Sequence, residues 1–394
     1  MRIVVISNAF PYPPRSGYPT RVYHLTRQLA GRHDVRLLSF VRPDQREHAH
    51  ELRNEVPVRV VEHHEVSMSG RRRAQVASLA SLRPFSCREV YSRAMQRAID
   101  DVCTEEKVDV IQVEGSQLCT YTFPRDVRIV LDEHDIVYEL LQRMSEGERA
   151  ALRRGFNRVE YARFRRFEQR CWERVAGCVV TSDRELPVVL PHRAGKPLAV
   201  VPNAVDVDYF RPGGGPVEPF TVLFTGLLTS RPNIDAAHHL VEEIWPLVQQ
   251  RCPQARLTLA GRASPATVRN LSRPGVVLTG EVPDMRRYLK RAAVVAVPIR
   301  MGGGTRLKVV EGLAMAKGLV STSLGCEGIA VRDNEHLLIR DGADAFASGI
   351  VKLFEEPGLA AALGRAGRQV IEQEYSWDLA GERLEALYRG VMAA

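Results

Sequence analysis

The residues best suited to chemistry lie in one run, Gly302-Gly303-Gly304-Thr305-Arg306-Leu307-Lys308-Val309-Val310-Glu311. The glycines let the backbone turn and approach a ligand with no Cβ in the way. Thr305 suits the N-cap of a following helix. A helix start offers free N–H groups and a positive dipole end to an anion. Arg306 and Lys308 add fixed positive charge, and Glu311 sits one turn beyond Lys308 on nearly the same face. A diphosphate at the helix start and a ribose near Glu311 would use all of these groups. The plainer reading, valid for any single glycine loop, is a tight turn with a surface Lys–Glu pair. The run lacks the Gly-x-x-x-x-Gly-Lys-[Ser/Thr] pattern of a Walker A loop.

A second candidate is His134, in Asp132-Glu133-His134-Asp135 directly after an apolar run. Polar residues just past a buried strand lie at the carboxyl edge of a sheet, where open α/β folds bind ligands. His134 then faces a ligand or is a hydrogen-bonded loop histidine. Arg300 and Met301 line a ligand or pack, and Glu327 touches a ligand or caps a turn.

These residues need a scaffold, and the chain supplies strand–helix alternation twice. Arg2–Ser7 reads as a first strand, leading through a proline-rich loop, Asn8–Pro19 with Gly17, into a helix over Thr20–Gly31. Strands follow at Asp34–Phe40, Val58–Glu62, Val108–Val113, Arg128–Leu131 and Cys178–Ser182. Ser145–Arg174 reads as one long helical stretch or two with a kink, with Leu152, Phe156, Val159, Phe167, Cys171 and Val175 on its core face. Prolines and glycines crowd residues 185–218 and mark a domain boundary. Alternation resumes with strands at Thr221–Thr225, Arg256–Ala260, Val276–Thr279, Ala293–Ile299 and Gly318–Thr322, and a helix over Asn233–Gln250. Glycines end several of these strands. The pattern predicts an α/β chain of two doubly wound, Rossmann-like domains facing each other across a cleft. The domains are expected at 1–200 and 201–375, with a final helix in 376–394 returning to the first.

The 394 residues suffice for two such cores, and 45% hydrophobic with 26% charged content suits a soluble globular protein. No apolar run approaches the ~20 residues of a membrane span. The first residues enter a strand at once, without the usual layout of a signal peptide, which points to the cytoplasm. The 7 cysteines are scattered without Cys-x-x-Cys, which fits reduced, buried thiols and no structural zinc. A net charge of +8 fits an anionic ligand, an anionic membrane surface or nucleic acid, or a solvated arginine-rich exterior; Arg71-Arg72-Arg73 reads as an exposed loop or as a contact for a membrane or an acidic partner. Nucleic acid is disfavoured, because the basic residues form no stacking platform with aromatics.

Taken together, three segments resemble the retaining glycosyltransferases of the GT-B fold, family four. They are Phe224-Thr-Gly-Leu-Leu-Thr-Ser-Arg-Pro-Asn-Ile-Asp-Ala, the Gly302–Met315 run, and Pro202-Asn-Ala-Val-Asp with Phe210. The resemblance implies a nucleotide-diphosphate-sugar donor held mainly by the C-terminal domain and a hydroxyl acceptor held mainly by the N-terminal domain. The acceptor would be a glycan, a lipid-linked group or a natural product. Gly17 would lie over the donor diphosphate and His134 would face the transferred sugar. Arg231 falls in the segment where the family places a phosphate-binding cation. Lys308 would contact the diphosphate and Glu311 the ribose, with Val282 beside the base. Many members carry an earlier glutamate where this chain has Gly303, so backbone N–H groups at Gly303, Gly304 and Thr305 would meet the sugar hydroxyls instead.

The implied reaction stabilises a diphosphate leaving group with protein cations, so no metal and no cofactor is expected. Asp206-Val207-Asp208 mimics the metal-binding Asp-x-Asp of another glycosyltransferase fold and reads here as structural. The competing functions are a nucleotide-sugar epimerase of the same architecture and a non-catalytic nucleotide-sugar-binding subunit. A lipid-linked acceptor would turn the basic N-terminal half toward the inner face of an anionic membrane. Oligomeric state has no signature in the sequence.

Overall fold

The computed structural model describes residues 1–62, 75, 78, 81, 83–146, 151–213, 215–302 and 306–394. It divides into two compact units, Met1–Pro202 with Ala380–Ala394, and Asn203–Leu379.

The first unit is built on a parallel sheet of seven strands. These are β1 (Arg2–Ser7), β2 (Asp34–Val41), β3 (Val58–Glu62), β4 (Val110–Glu114), β5 (Arg128–Asp132), β6 (Gly177–Val180) and β7 (Leu198–Val200), in the order β3-β2-β1-β4-β5-β6-β7. Ile3–Ile6 pairs with Val110–Val113 in parallel register. The central strands are apolar on both faces, as helix-covered parallel strands must be. Val4, Ile6, Ile111, Val113 and Leu131 are buried with Met95 and Ile99 from the helix Arg93–Glu105. Ser92 caps that helix, its Oγ accepting from Ala94 N at 3.2 Å.

The second unit carries six parallel strands. They are β8 (Thr221–Thr225), β9 (Arg256–Ala260), β10 (Val276–Gly280), β11 (Val294–Val297), β12 (Gly318–Ser321) and β13 (Leu338–Ile339), in the order β10-β9-β8-β11-β12-β13. In each sheet the strand order reverses beside the first strand, between β1 and β4 in one and between β8 and β11 in the other. Such reversals open the crevice where doubly wound sheets take their ligands.

Several expectations are corrected. The first helix starts at Gly17 and ends at Ala30, so the proline-rich loop is three residues shorter than its sequence suggests. The two units divide between Pro202 and Asn203, inside the proline- and glycine-rich stretch, whose residues 185–202 also supply short helical turns and the edge strand β7 to the first sheet. Within the long arginine-rich stretch Ala151–Arg174 is one helix; a separate helix, Val137–Glu146, ends at its start, and residues 147–150 lie outside the described residues. The expected core face of Ala151–Arg174 holds at its carboxyl end, where Cys171 and Val175 are buried and Phe167 is half-buried, but Leu152 is 91% exposed, and Glu160, Phe164, Glu168 and Trp172 are buried as well. Both buried carboxylates accept backbone N–H groups of distant segments, and Glu160 also pairs with Arg163 at 3.5 Å. Glu160 accepts from Phe85 N at 2.7 Å, and Glu168 from Ser116 Oγ at 2.9 Å and Val137 N at 3.1 Å. The helix expected at Asn233–Gln250 runs from Arg231 to Arg251, with a π-helical segment at His239–Ile244. Pro246 lies just beyond that segment, and its missing N–H and ring clash disfavour ordinary α register there. Arg71–Arg73 lie outside the described residues.

The last helix, Trp377–Ala393, leaves the second unit within its first turn. Its remainder packs on the first unit. A Cβ on Gly381 would sit 2.9 Å from Cβ of Gln28, and one on Gly177 2.6 Å from Val391 Cγ2, so both glycines allow close approach. Arg32 pairs with Glu385 at 2.7 Å, and the Tyr388 hydroxyl donates to Gln112 Oε1 in the interior.

Candidate functional site

Each unit gathers polar groups at its own strand reversal. In the second unit the centre is Lys308, in the first turn of the helix Leu307–Ala314 that follows β11. Its ammonium donates to Asn233 Oδ1 at 2.6 Å and lies 4.6 Å from the ring centre of Phe224, the penultimate residue of β8. Gly226 backs it: a Cβ there would stand 3.0 Å from Nζ and 2.9 Å from Asn233 Nδ2, on a backbone at φ +153°. Burial, helped by the charge of Arg306, pulls the Lys308 ammonium down to about 7. Burial pushes the Glu311 carboxyl up to about 7, with Lys308 opposing. A cation and an acid are therefore poised near neutrality one turn apart, each responsive to a charged ligand.

Gly302, the first glycine of the run, lies near the same place. Gly302 adopts φ +113°, where a Cβ would be 3.0 Å from a guanidinium nitrogen of Arg306 and 3.3 Å from the Pro232 ring. Gly302 is thus packed beside the start of the helix Arg231–His238, with Arg231 at its exposed first position. Arg306 holds the N-cap position of the following helix. Thr305, expected there, lies outside the described residues together with Gly303 and Gly304. Val282 is half-buried in the loop after β10. Arg300 belongs elsewhere: it pairs with Asp235 at 3.1 Å and Glu243 at 3.2 Å. Asp206 makes an Asx turn, accepting from Asp208 N at 3.1 Å and Tyr209 N at 2.8 Å, which matches its structural reading.

In the first unit, Gly17 is the exposed first residue of its helix, and a Cβ on it would meet nothing within 4 Å. His134, past the end of β5, is largely buried. Its Nε2 lies 2.7 Å from Glu114 Oε2 at the end of β4, and its ring stacks on Tyr18 with centres 4.6 Å apart. The Tyr18 hydroxyl donates to the Glu114 carbonyl at 3.2 Å and accepts from Asn8 N at 3.1 Å. Burial alone would lower the His134 pKa, but the hydrogen bond to Glu114 and the charge of Asp132 outweigh it, and the net shift is upward. Glu114 is itself raised, chiefly by burial and by Asp132.

Arg21 anchors this cluster. It grips both carboxylate oxygens of Asp132, at 2.9 and 2.7 Å, and donates to the Val201 carbonyl at 2.8 Å. Both partners are fully buried. Glu114, Asp132 and His134 offer ligand atoms within 4.8 Å of one another, a spacing that could hold a metal ion. Arg21 already occupies both oxygens of Asp132, and Gln112 donates to Glu114 Oε1 at 2.5 Å. Both carboxylates of the set are thus already engaged by protein donors. Sequence reasoning missed Glu114, Arg21, Tyr18 and Asn233. Asn233 stands inside a quoted motif and was legible as a polar residue at a helix start; Arg21 and Asp132 are 111 residues apart and have no local signature.

Comparison with known proteins follows the same division. Residues 219–356 match the family model described as glycosyl transferases group 1. The chain is 29% identical over 207 residues to the GDP-mannose-dependent monoacylated alpha-(1-6)-phosphatidylinositol monomannoside mannosyltransferase of Corynebacterium glutamicum, covering 47% of this chain and 54% of that protein. It is 28% identical over 218 residues to the D-inositol 3-phosphate glycosyltransferase of Acidothermus cellulolyticus, covering 50% and 48%. The chain thus spans about half the length of the curated relatives it matches. Among solved structures it resembles sucrose-phosphate synthase from Thermosynechococcus elongatus, with TM-score 0.75 at 16% identity over 100% of both chains. It also resembles Anabaena HepE in complex with UDP-glucose, with TM-score 0.68 at 13% identity over 98% of each. The match to the family model is confined to residues 219–356, and the chain has the two Rossmann-like units of the GT-B fold, as its motifs led us to expect.

Proposed function

We propose that the chain is a retaining, metal-independent glycosyltransferase that moves a hexosyl group from a nucleotide-diphosphate sugar to a hydroxyl acceptor. The observation that carries this reading is Lys308, held by Asn233 and Gly226 beside the glycine run and poised near neutral pH. A diphosphate arriving there would draw Lys308 to its charged form, and Arg231, Arg306 and the helix start would add positive potential. Glu311 would take the ribose hydroxyls and the backbone near Val282 the base. The glycines at 302–304 and Thr305 would offer N–H groups to phosphate and sugar, and Gly17 would let a helix start approach the diphosphate.

In the proposed reaction the bond from the anomeric carbon to the diphosphate oxygen breaks. The acceptor oxygen forms its bond on the same face, and its proton passes to the departing phosphate oxygen. His134, fixed by Glu114, serves the hydroxyls of the transferred sugar. The relatives' names include GDP-mannose, and solved neighbours bind UDP or UDP-glucose, so both donor types enter the test. We place the enzyme in the cytoplasm, at the inner face of the membrane if its acceptor is lipid-linked. No helix among the described residues is long and apolar enough to cross a membrane.

The test is incubation with GDP-mannose or UDP-glucose, with and without hydroxyl acceptors, reading released nucleoside diphosphate. Acceptor-dependent release supports the proposal. Isomerised donor without release would indicate an epimerase, and binding without turnover a partner subunit; either would overturn it.

A further inference from the structure

A cavity of about 1230 Å³ in the first unit has no part in the network around His134. It lies between the helix Ala151–Arg174 and the segment running from Cys119 into β5. It reaches the amino edge of the sheet, where Arg128 opens β5 and Ala176 precedes β6. None of Arg21, Glu114, Asp132 and His134 lines it.

Its lining is one-sided in charge. Among the described residues, seven arginines and one lysine line the groove, and no aspartate or glutamate does. Arg163, Arg166, Arg170 and Arg174 follow at steps of three and four, so they share one face of the helix. They span about 16 Å at the helical rise. Arg125 and Arg128 stand on the opposite wall. Like charges at this spacing repel and cost helix stability. Among the described residues, no ion pair is formed by Arg125, Arg128, Arg166, Arg170 or Arg174, all of them exposed.

Between the charges lie apolar groups. Phe123, Val127, Ile129 and Phe167 line the groove half-buried, and Cys171 and Val175 form part of its buried floor. This layout discriminates between anions. A lipid carries its charge at one end and its apolar surface at the other, whereas here the two alternate along the whole groove. A polyphosphate has no apolar face to lay on the floor. Nucleic acid wants projecting aromatics for stacking, and Phe123 and Phe167 are instead packed against the core. A chain of acidic sugars offers spaced anions with C–H faces between them.

We propose that this groove binds a linear anionic oligosaccharide, a run of carboxylate- or sulfate-bearing sugars lying along the arginine face of the helix. The arginines hold the anions by charge-assisted hydrogen bonds, and the apolar strip meets the sugar rings. The site is separate from the donor groups around Lys308 and requires no transfer activity.

The full chain is titrated calorimetrically with tetragalacturonate and a heparin-derived pentasaccharide. Maltotetraose, inorganic triphosphate, a short-chain phosphatidylglycerol and an oligothymidylate serve as comparison ligands. The acidic oligosaccharides bind most tightly and maltotetraose does not bind. Arg166→Glu with Arg170→Glu weakens the acidic oligosaccharides by at least about tenfold, since each lost charged hydrogen bond is of that order. Arg166→Gln with Arg170→Gln loses less. Arg153→Glu with Arg158→Glu, an equal charge change on exposed arginines of the same helix outside the groove, leaves affinity within about twofold. Equal binding to wild type and R166E/R170E overturns the proposal. So does triphosphate, lipid or oligonucleotide binding as tightly as the uronate chain and lost equally in R166E/R170E. Because no donor is present, failure here leaves the transferase reading untouched.

Discussion

Glu114 Oε2 lies 2.7 Å from Nε2 of His134, and the pair is buried at the carboxyl edge of the first sheet. That contact fixes the imidazole orientation and leaves Nδ1 as the nitrogen not engaged by Glu114. Glu114→Gln removes the charge while keeping the shape. The His134 pKa, now raised through that bond, then falls. The sign for stability follows. A raised histidine stabilises the fold below its unfolded value of about 6.5, and that contribution is lost as pH rises through the folded value. Glu114, also raised, opposes folding once pH exceeds its unfolded value near 4.3. The variant is therefore at least as stable as wild type at pH 8, while transfer falls roughly tenfold to a hundredfold. Histidine NMR titration and turnover measure the two effects; an unchanged titration contradicts the assignment.

Arg21→Met strands Asp132 in the interior. Breaking a buried pair from one side costs about 3–5 kcal/mol. Arg21→Met with Asp132→Leu recovers much of that loss, because no buried charge remains. Urea unfolding of both variants, followed through a first-unit probe such as Trp172, makes the comparison.

The contact at Arg21 also shows where sequence reading ends. The second sheet was legible, since β8 and β9 match their apolar runs to the residue and end on Gly226 and Gly261. Gly261 is needed where it stands: a Cβ there would fall 2.0 Å from the Gly226 carbonyl oxygen. The Lys308–Glu311 spacing was legible because a helix makes neighbours of residues three apart. The core face of the helix Ala151–Arg174 was legible at Phe167, Cys171 and Val175 and misread toward its amino end, because periodicity assumes carboxylates face water. Glu160 and Glu168 instead turn inward to cap backbone N–H groups of distant segments. The Glu114–His134 and Arg21–Asp132 contacts depend on strands meeting side by side, which local pattern does not encode.

Gly226→Ala tests the cradle of Lys308. An alanine at φ +153° is strained by about 1–3 kcal/mol, and its methyl crowds Nζ and Asn233. The expected result is a folded protein with a lowered melting temperature and at least about tenfold weaker nucleotide diphosphate binding. Unaltered affinity would remove Gly226 from the site.

Lys308 and Glu311 predict a specific pH signature. Lys308, depressed to about 7, releases its proton on folding between about pH 7 and its unfolded value near 10.4, so its contribution to stability rises with pH through that window. Glu311, raised to about 7, takes up a proton on folding between about pH 4.3 and 7, so its contribution falls as pH rises there. The two leave the ligand-free second unit least stable near neutrality. A bound diphosphate restores the Lys308 charge, so nucleotide binding at pH 8 takes up protons. Calorimetry in buffers of different ionisation enthalpy measures that uptake, and Lys308→Gln abolishes it.

The most direct measurement is the anomeric configuration of the product formed from GDP-mannose or UDP-glucose with a hydroxyl acceptor, read by NMR alongside nucleoside diphosphate release. The account predicts acceptor-dependent release with retained configuration, lost in Lys308→Ala and Glu311→Ala while both stay folded. An inverted product, or turnover and donor affinity unchanged in both variants, would contradict it.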